Sequence, residues 1–280
     1  MASTSAADPL LAMEETLDWL KMPHELMANI IRRSDAKEIL NSALKVCTTW
    51  SRICKDPAMW RIIDMHEPGE ACDEDYDLEA LTKQAVDLSC GELIDISIQG
   101  FGTGDLLHYI VLRSSKLKSL CLKNCDVTGD ELSDAVKRVP MLEKLHLSYI
   151  SIDAYDIEVI GQNCSQLKSF MLNSKEFEPH PQTENDNDAL AIANNMPELR
   201  HLDLFDSDIT NKGLKAILNG CPHLESLDVR MCYNLDLDGS IGKLCMERIK
   251  DLKYADDSVD NSWFHYWMHE YDESYESDSD

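Results

Sequence analysis

The stretch CPHLESLDVRMC, Cys221–Cys232, holds two cysteines, a histidine and two carboxylates within twelve residues. As a site, such a grouping would ask for a metal or a redox pair. As a pattern, its apolar frame Leu224-x-x-Leu227-x-Val229 asks whether the chain repeats it.

It does. The same frame stands at Leu93/Ile96/Ile98, Leu117/Leu120/Leu122, Leu142/Leu145/Leu147, Leu167/Phe170/Leu172 and Leu199/Leu202/Leu204, and more weakly at Ile249/Leu252/Tyr254. Successive frames begin 24, 25, 25, 32, 25 and 25 residues apart. The long interval contains the polar run EFEPHPQTENDND (176–188), an expected loop insertion. After each frame come a polar turn and a helical pattern, as in DVTGDELSDAVKRVP, SIDAYDIEVIGQNC and DITNKGLKAILNGC. In the last of these, Ile209, Leu214, Ile217 and Leu218 recur at helical spacing and Gly220 is placed to end the helix. One strand and one helix per unit predict a leucine-rich repeat solenoid, whose units bury their leucines only by stacking.

The cysteines then belong to the repeat. Cys125, Cys164 and Cys221 sit near unit edges, where small buried side chains suit the packing. The chain has ten cysteines and no CxxC pair, which predicts reduced thiols and no zinc site. The start MASTSAADPLLAMEETLDW lacks the charged and apolar regions of a secretory signal, and no window is apolar enough to span a membrane. The expected location is nucleus and/or cytoplasm.

Lys+Arg number 26 against 52 Asp+Glu, a net charge of -26. That balance argues against nucleic acid and anionic membranes as partners. Yet Leu20–Met65 carries eight basic and five acidic residues, so two parts with different partners are expected. That segment lies within WLKMPHELMANIIRRSDAKEILNSALKVCTTWSRICKDPAMWRIIDM (19–65), which reads as three short helices. Pro23 suits a helix start, with Leu26, Ile30 and Ile31 on one face; Ile39, Leu40 and Ala43 mark a second helix, and Val46, Trp50 and Ile53 a third. So small a bundle has more apolar surface than it can bury, which implies a partner.

This segment resembles an F-box, through Met22-Pro23-x-Glu25-Leu26, Ile30-Ile31, Ile39-Leu40, Val46-Cys47-x-x-Trp50 and Asp56-Pro57-x-x-Trp60. It departs from that pattern at Met22, usually Leu, and at Ser34, where an apolar residue is common. With KVCTTWSRICKDPAMWRIIDM and MPELRHLDLF, the chain resembles the plant F-box/LRR-repeat proteins that bind the Skp adaptor, over roughly residues 18–255. The expected fold is α/β: a three-helix F-box, then a ribonuclease-inhibitor-like arc of about seven to eight repeats. Expected segments are a disordered N-terminus (1–17), the F-box (18–65), the repeats (66–255) and an acidic, aromatic-containing tail (256–280). The resemblance implies the substrate-recognition subunit of an SCF-type cullin ubiquitin ligase, without catalysis or cofactor of its own. It would bind a Skp-type adaptor, through it cullin, and a protein substrate. The adaptor-facing anchors it implies are Met22, Pro23, Leu26, Ile30, Ile39, Leu40, Val46 and Trp50, some of which must instead hold the bundle together. The alternative is a ligase-independent repeat scaffold. Trp60-x-x-Ile63-x-Met65 itself fits the strand frame, so the F-box should run directly into the solenoid.

Residues alternating with the frame leucines should line the concave face. Lys123, Lys144 and Arg230 there balance Asp95, Asp203 and Asp228, a mixed surface in an acidic chain. Met171, His201, Phe205 and Arg230 are the candidate substrate contacts, and a loop such as 176–188 the alternative. Residues 256–280 hold nine Asp/Glu, no Lys/Arg and an aromatic stripe at Trp263, Trp267, Tyr271 and Tyr275, which suits a cap on the last repeat or a docking motif. GFGTGD (100–105) lacks a phosphate-loop lysine and falls where a repeat turns; His265 and His269 lack a third metal ligand; no G-x-S-x-G is present.

Overall fold

Every strand frame read from the sequence is a strand in the computed structural model, which describes residues 22–66, 77–173 and 184–257. In order they are β1 (Ile62–His66), β2 (Asp95–Gln99), β3 (Ser119–Lys123), β4 (Lys144–Ser148), β5 (Ser169–Asn173), β6 (His201–Asp203), β7 (Ser226–Asp228) and β8 (Asp251–Lys253). They form one parallel sheet in sequence order. The register never slips: Ile63, Ile96, Leu120, Leu145, Phe170, Leu202, Leu227 and Leu252 stand side by side across all eight strands. All but Leu252 are buried. Each such side chain contributes roughly 1.5–3 kcal/mol when fully removed from water.

Parallel neighbours need a crossover, and a helix supplies it in each unit. The first four run over Leu78–Leu88, Gly104–Arg113, Gly129–Val136 and Ala154–Asn163; Asn187–Asn195, Asn211–Gly220 and Ser240–Arg248 follow. Polar N-caps start most of them, with reciprocal capping boxes at Thr128/Glu131 and Asp153/Asp156. Those same carboxylates lie over the preceding unit's helix start. A Cβ on Gly104 would run into Glu131, and one on Gly129 into Asp156. Five of the eight strands, β2, β3, β4, β6 and β7, leave the sheet through one left-handed residue: Gly100, Asn124, Tyr149, Asp206 and Met231. Its N–H donates to the next unit, for instance Tyr149 to the Asn173 carbonyl at 2.7 Å and Met231 to the Ala255 carbonyl at 3.0 Å. A bulky residue pays about 1–2 kcal/mol for that backbone, and here stacking imposes it.

At the N-terminal end, Pro23 caps α1 (His24–Ile31). A second helical stretch, α2, runs through Ala36–Glu38, a π turn at Ile39–Ala43, and Leu44–Val46; α3 is Thr48–Cys54. Leu26 and Ile30 point outward, while Met27 and Ile31 fill the bundle core, so Ile31 does not share the face expected for it. A 3₁₀ turn, Pro57–Trp60, leads straight into β1. Trp60 is buried, and its indole N–H donates to the Cys54 carbonyl at 2.7 Å. One apolar cluster runs unbroken from Met27 to Ile249, and the expected boundary at 65/66 falls inside β1. The expected segment 1–17, most of the insertion 176–188 and the tail beyond Asp257, with its aromatic stripe, lie outside the described residues. The described end of the insertion is structural: Asp186 accepts from the N–H of Thr210 at 2.9 Å in the next unit, and Asn187 opens a helix.

Candidate functional site

Two surfaces follow from this construction, one on the helical bundle and one on the concave side of the sheet. On the bundle, Leu26 is 54 %, Ile30 40 % and Val46 59 % exposed. Leu26 and Ile30 are one helical turn apart on α1, so they share a stripe. Pro23 is exposed; Met22 and Trp50 are half-buried. Ile39 and Leu40 are 5 % and 4 % exposed, so they hold α2 in the bundle and present nothing to a partner. Arg32, Arg33, Lys45, Arg52, Lys55 and Arg61 are exposed around the bundle. Between α1, α2 and β1 lies a groove of about 730 Å³ lined by Arg33, Ile39, Trp60, Arg61, Ile62 and His66. Ile62, 66 % exposed at its rim, was missed by sequence reading; it lies one position before a frame residue, the only available signal.

On the concave face the outward residues form rows across the strands. One row runs Ile62, Asp95, Ser119, Lys144, Ser169, His201, Ser226 and Asp251, and the next Asp64, Ser97, Cys121, His146, Met171, Asp203, Asp228 and Lys253. Of the four expected contacts, Met171 is half-buried, with the Ser148 Oγ 3.8 Å from its sulfur, and His201 is exposed. Phe205 is only 7 % exposed. Arg230 is turned onto its own unit: Nη2 donates to Asp228 Oδ2 at 2.7 Å and Nε to Oδ1 at 2.9 Å, with the guanidinium 5.8 Å from the Phe205 ring centre. Phe205 and Arg230 are therefore structural, and the expected set does not assemble. The physical reason is strand length. β6 and β7 end at Asp203 and Asp228, so alternation no longer governs positions 205 and 230.

The electrostatics of this face follow from burial. The His146 imidazole is pushed down to about 4 by burial, and further by Lys144 and His201, so it is neutral at neutral pH. Its Nε2 lies 2.8 Å from the Ser169 Oγ. Burial also lowers Lys123. Burial and the neighbouring Asp228 raise the Asp203 carboxyl to about 6. Burial opposes ionisation of Asp228 too, but the Arg230 hydrogen bonds outweigh it and the net shift is downward.

The buried cysteines Cys164, Cys221 and Cys232, outside the strands, fall in three different units. Their thiols are pushed up by burial to about 12, 11 and 12. Among the described residues no three His, Cys, Asp or Glu are placed to hold a metal together. Also among the described residues, no helix is long and apolar enough to cross a membrane. GFGTGD is a turn: Gly100 and Gly102 have positive φ, and Thr103 caps the helix Gly104–Arg113.

Residues 19–66 match the F-box-like family model, and residues 180–241 match that of the LRR repeats of the FBD-associated F-box protein At5g56370. The F-box protein SKIP19 of Arabidopsis thaliana is 47 % identical over 92 % of this chain and 84 % of its own length. F-box/LRR-repeat protein 23 of the same plant is 45 % identical over 92 % of this chain and 58 % of its own.

Proposed function

The chain belongs to the F-box/LRR-repeat protein family, and we propose that it is the substrate-recognition subunit of an SCF-type cullin ubiquitin ligase. In this reading the F-box bundle binds a Skp-type adaptor, and cullin through it, while the concave face of the repeats takes a protein substrate. The chain would be a receptor and leave catalysis to its partners.

The observation that carries the reading is the exposure of Leu26, Ile30 and Val46 on a bundle whose own core is filled by Met27, Ile31, Ile39, Leu40, Ala43 and Ile53. Aliphatic side chains that fold nothing and stand among exposed arginines and lysines suit an apolar partner surface with acidic edges. Pro23, at the cap of α1, and the half-buried Met22 and Trp50 would border that contact.

Co-purification with a Skp adaptor tests it, using wild type and the Leu26→Ala/Val46→Ala double variant. Buried interface anchors cost about 2 kcal/mol each when truncated, roughly thirty-fold in affinity. The variant should lose the adaptor while keeping the wild-type melting temperature. A folded wild type that captures no adaptor would overturn the reading and leave the ligase-independent repeat scaffold.

A further inference from the structure

The middle of the concave face has a composition the rest of the chain does not share. Across β3, β4 and β5 none of the nine outward positions is Asp or Glu, in a chain with 52 of them. The strands on either side resume the acids, with Asp64 and Asp95 before, and Asp203 and Asp228 after. Among the described residues, this patch without strand carboxylates holds the ammonium of Lys144, with hydroxyls of Ser119, Ser148 and Ser169 around it. Lys144 forms no ion pair among the described residues. Its chain neighbour Glu143 instead takes both Lys118 and Lys168, each at 2.7 Å.

A second, independent observation lies in the same patch. The Ser119 side chain is on the concave face, in register with Lys144, and only 7 % exposed. Its Oγ makes no hydrogen bond. A buried hydroxyl left unpaired costs free energy, and such groups are rare enough to need a reason. A ligand acceptor supplies one: the hydroxyl donates to it while the ammonium beside it neutralises its charge.

We propose that this patch is an anion-recognition site. It receives an acidic group of a protein substrate, a side-chain carboxylate or a phosphate, on Lys144 and the hydroxyl of Ser119. The site rests on the receptor reading for the word substrate, though not for the binding itself. Asp95, the other register neighbour of Ser119, turns the anion toward Lys144 and β4, and Met171 on β5 offers an apolar contact beyond it.

The test immobilises the full chain and offers four pools of nine-residue peptides with randomised flanks. The pools differ only in the central residue: Glu, phosphoserine, Gln or Lys. One or both acidic pools should be retained about tenfold over Gln, and Lys depleted. Retention of phosphoserine alone identifies phosphate as the anion, and equal retention of Glu identifies any carboxylate. Lys144→Glu should abolish the preference, and Ser119→Ala should weaken it without lowering the melting temperature, since that hydroxyl has no internal bond to lose. Equal retention of all four pools, or a preference that survives both variants, overturns the proposal. Adaptor capture by Lys144→Glu, measured in parallel, reports on the F-box independently, so the two readings can fail separately.

Discussion

Arg230→Ala separates a residue that reads a partner from one that holds the fold. The guanidinium is bonded to Asp228 through Nε and Nη2, and the two side chains are 11 % and 7 % exposed. Removing one member of a buried pair costs about 3–5 kcal/mol, because the other charge is left without compensation. Here Lys253 stays 3.2 Å from Asp228, half-exposed, and recovers part of that, so about 2–3 kcal/mol is expected. At about 2–4 °C per kcal/mol for a domain of this size, the melting temperature should fall by roughly 4–12 °C. Thermal unfolding followed by circular dichroism at 222 nm reads this directly. The double variant Asp228→Asn/Arg230→Met removes both charges at similar volume and should recover most of the loss. If Arg230→Ala melts within a degree of wild type yet loses a bound partner, the reasoning is wrong and Arg230 is a surface reader.

Ile39→Ala should cost about 2–5 kcal/mol as a core truncation, whereas Val46→Ala should leave unfolding unchanged; chemical denaturation of both checks the division of the F-box anchors. Gly129→Ala should destabilise by driving a Cβ into the Asp156 carboxylate, and the cost should shrink when Asp156→Ala is combined with it, as a double-mutant cycle would show. Cys164, Cys221 and Cys232 should resist iodoacetamide in the native state and react only on unfolding, whereas the exposed Cys90 reacts at once, resolved by peptide mass spectrometry. The folded Asp203 holds its proton up to about pH 6, against an ordinary value of about 3.9, so its ionisation opposes folding above that pH and the penalty vanishes toward pH 4. Asp203→Asn should therefore raise the melting temperature at pH 7.5 and leave it nearly unchanged at pH 4. His146 runs the other way: its folded value near 4 lies below the ordinary 6.5, so its contribution is lost as pH falls from 6.5 toward 4, and His146→Gln should blunt that acid loss.

What the residues announced and what they hid have physical reasons. The frames were legible because a buried leucine row repeats wherever a strand must stack, even at Trp60, where the F-box becomes sheet. The face of α1 was not. LM at 26–27 and II at 30–31 put an apolar residue on both sides of a short helix, and only packing shows that Met27 and Ile31 go inward. The left-handed turn residues Tyr149 and Met231 carried no glycine or asparagine to betray them, since the next unit's carbonyl fixes their backbone. Phe205 and Arg230 were misplaced because period-two reasoning has no term for where a strand stops. The carboxylate-free patch, by contrast, was present in the alternating residues all along. It became visible only once two of the five strands carrying concave aspartates were seen to surround it, and once the Ser119 hydroxyl proved buried and unpaired.

The junction at Trp60 connects the two surfaces in a way neither has alone. A flexible linker would let a partner on the bundle and a ligand on the sheet take any relative position. Here the 3₁₀ turn ends at Trp60 and β1 begins at Ile62, with the indole bonded back to Cys54 and Lys37 of α2 reaching the His66 carbonyl at 3.3 Å. Moving the bundle against the sheet would expose Trp60, Ile63 and Met59 together and break those bonds, a cost of several kcal/mol by burial alone. The distance is fixed as well as the angle. Strands in a sheet are about 4.8 Å apart, so β4, the centre of the anion patch, lies roughly 15 Å along the sheet from β1. A substrate held there would be presented at a set position relative to whatever binds Leu26, Ile30 and Val46. A receptor whose partner must act on a bound protein needs that constancy, and a passive scaffold does not.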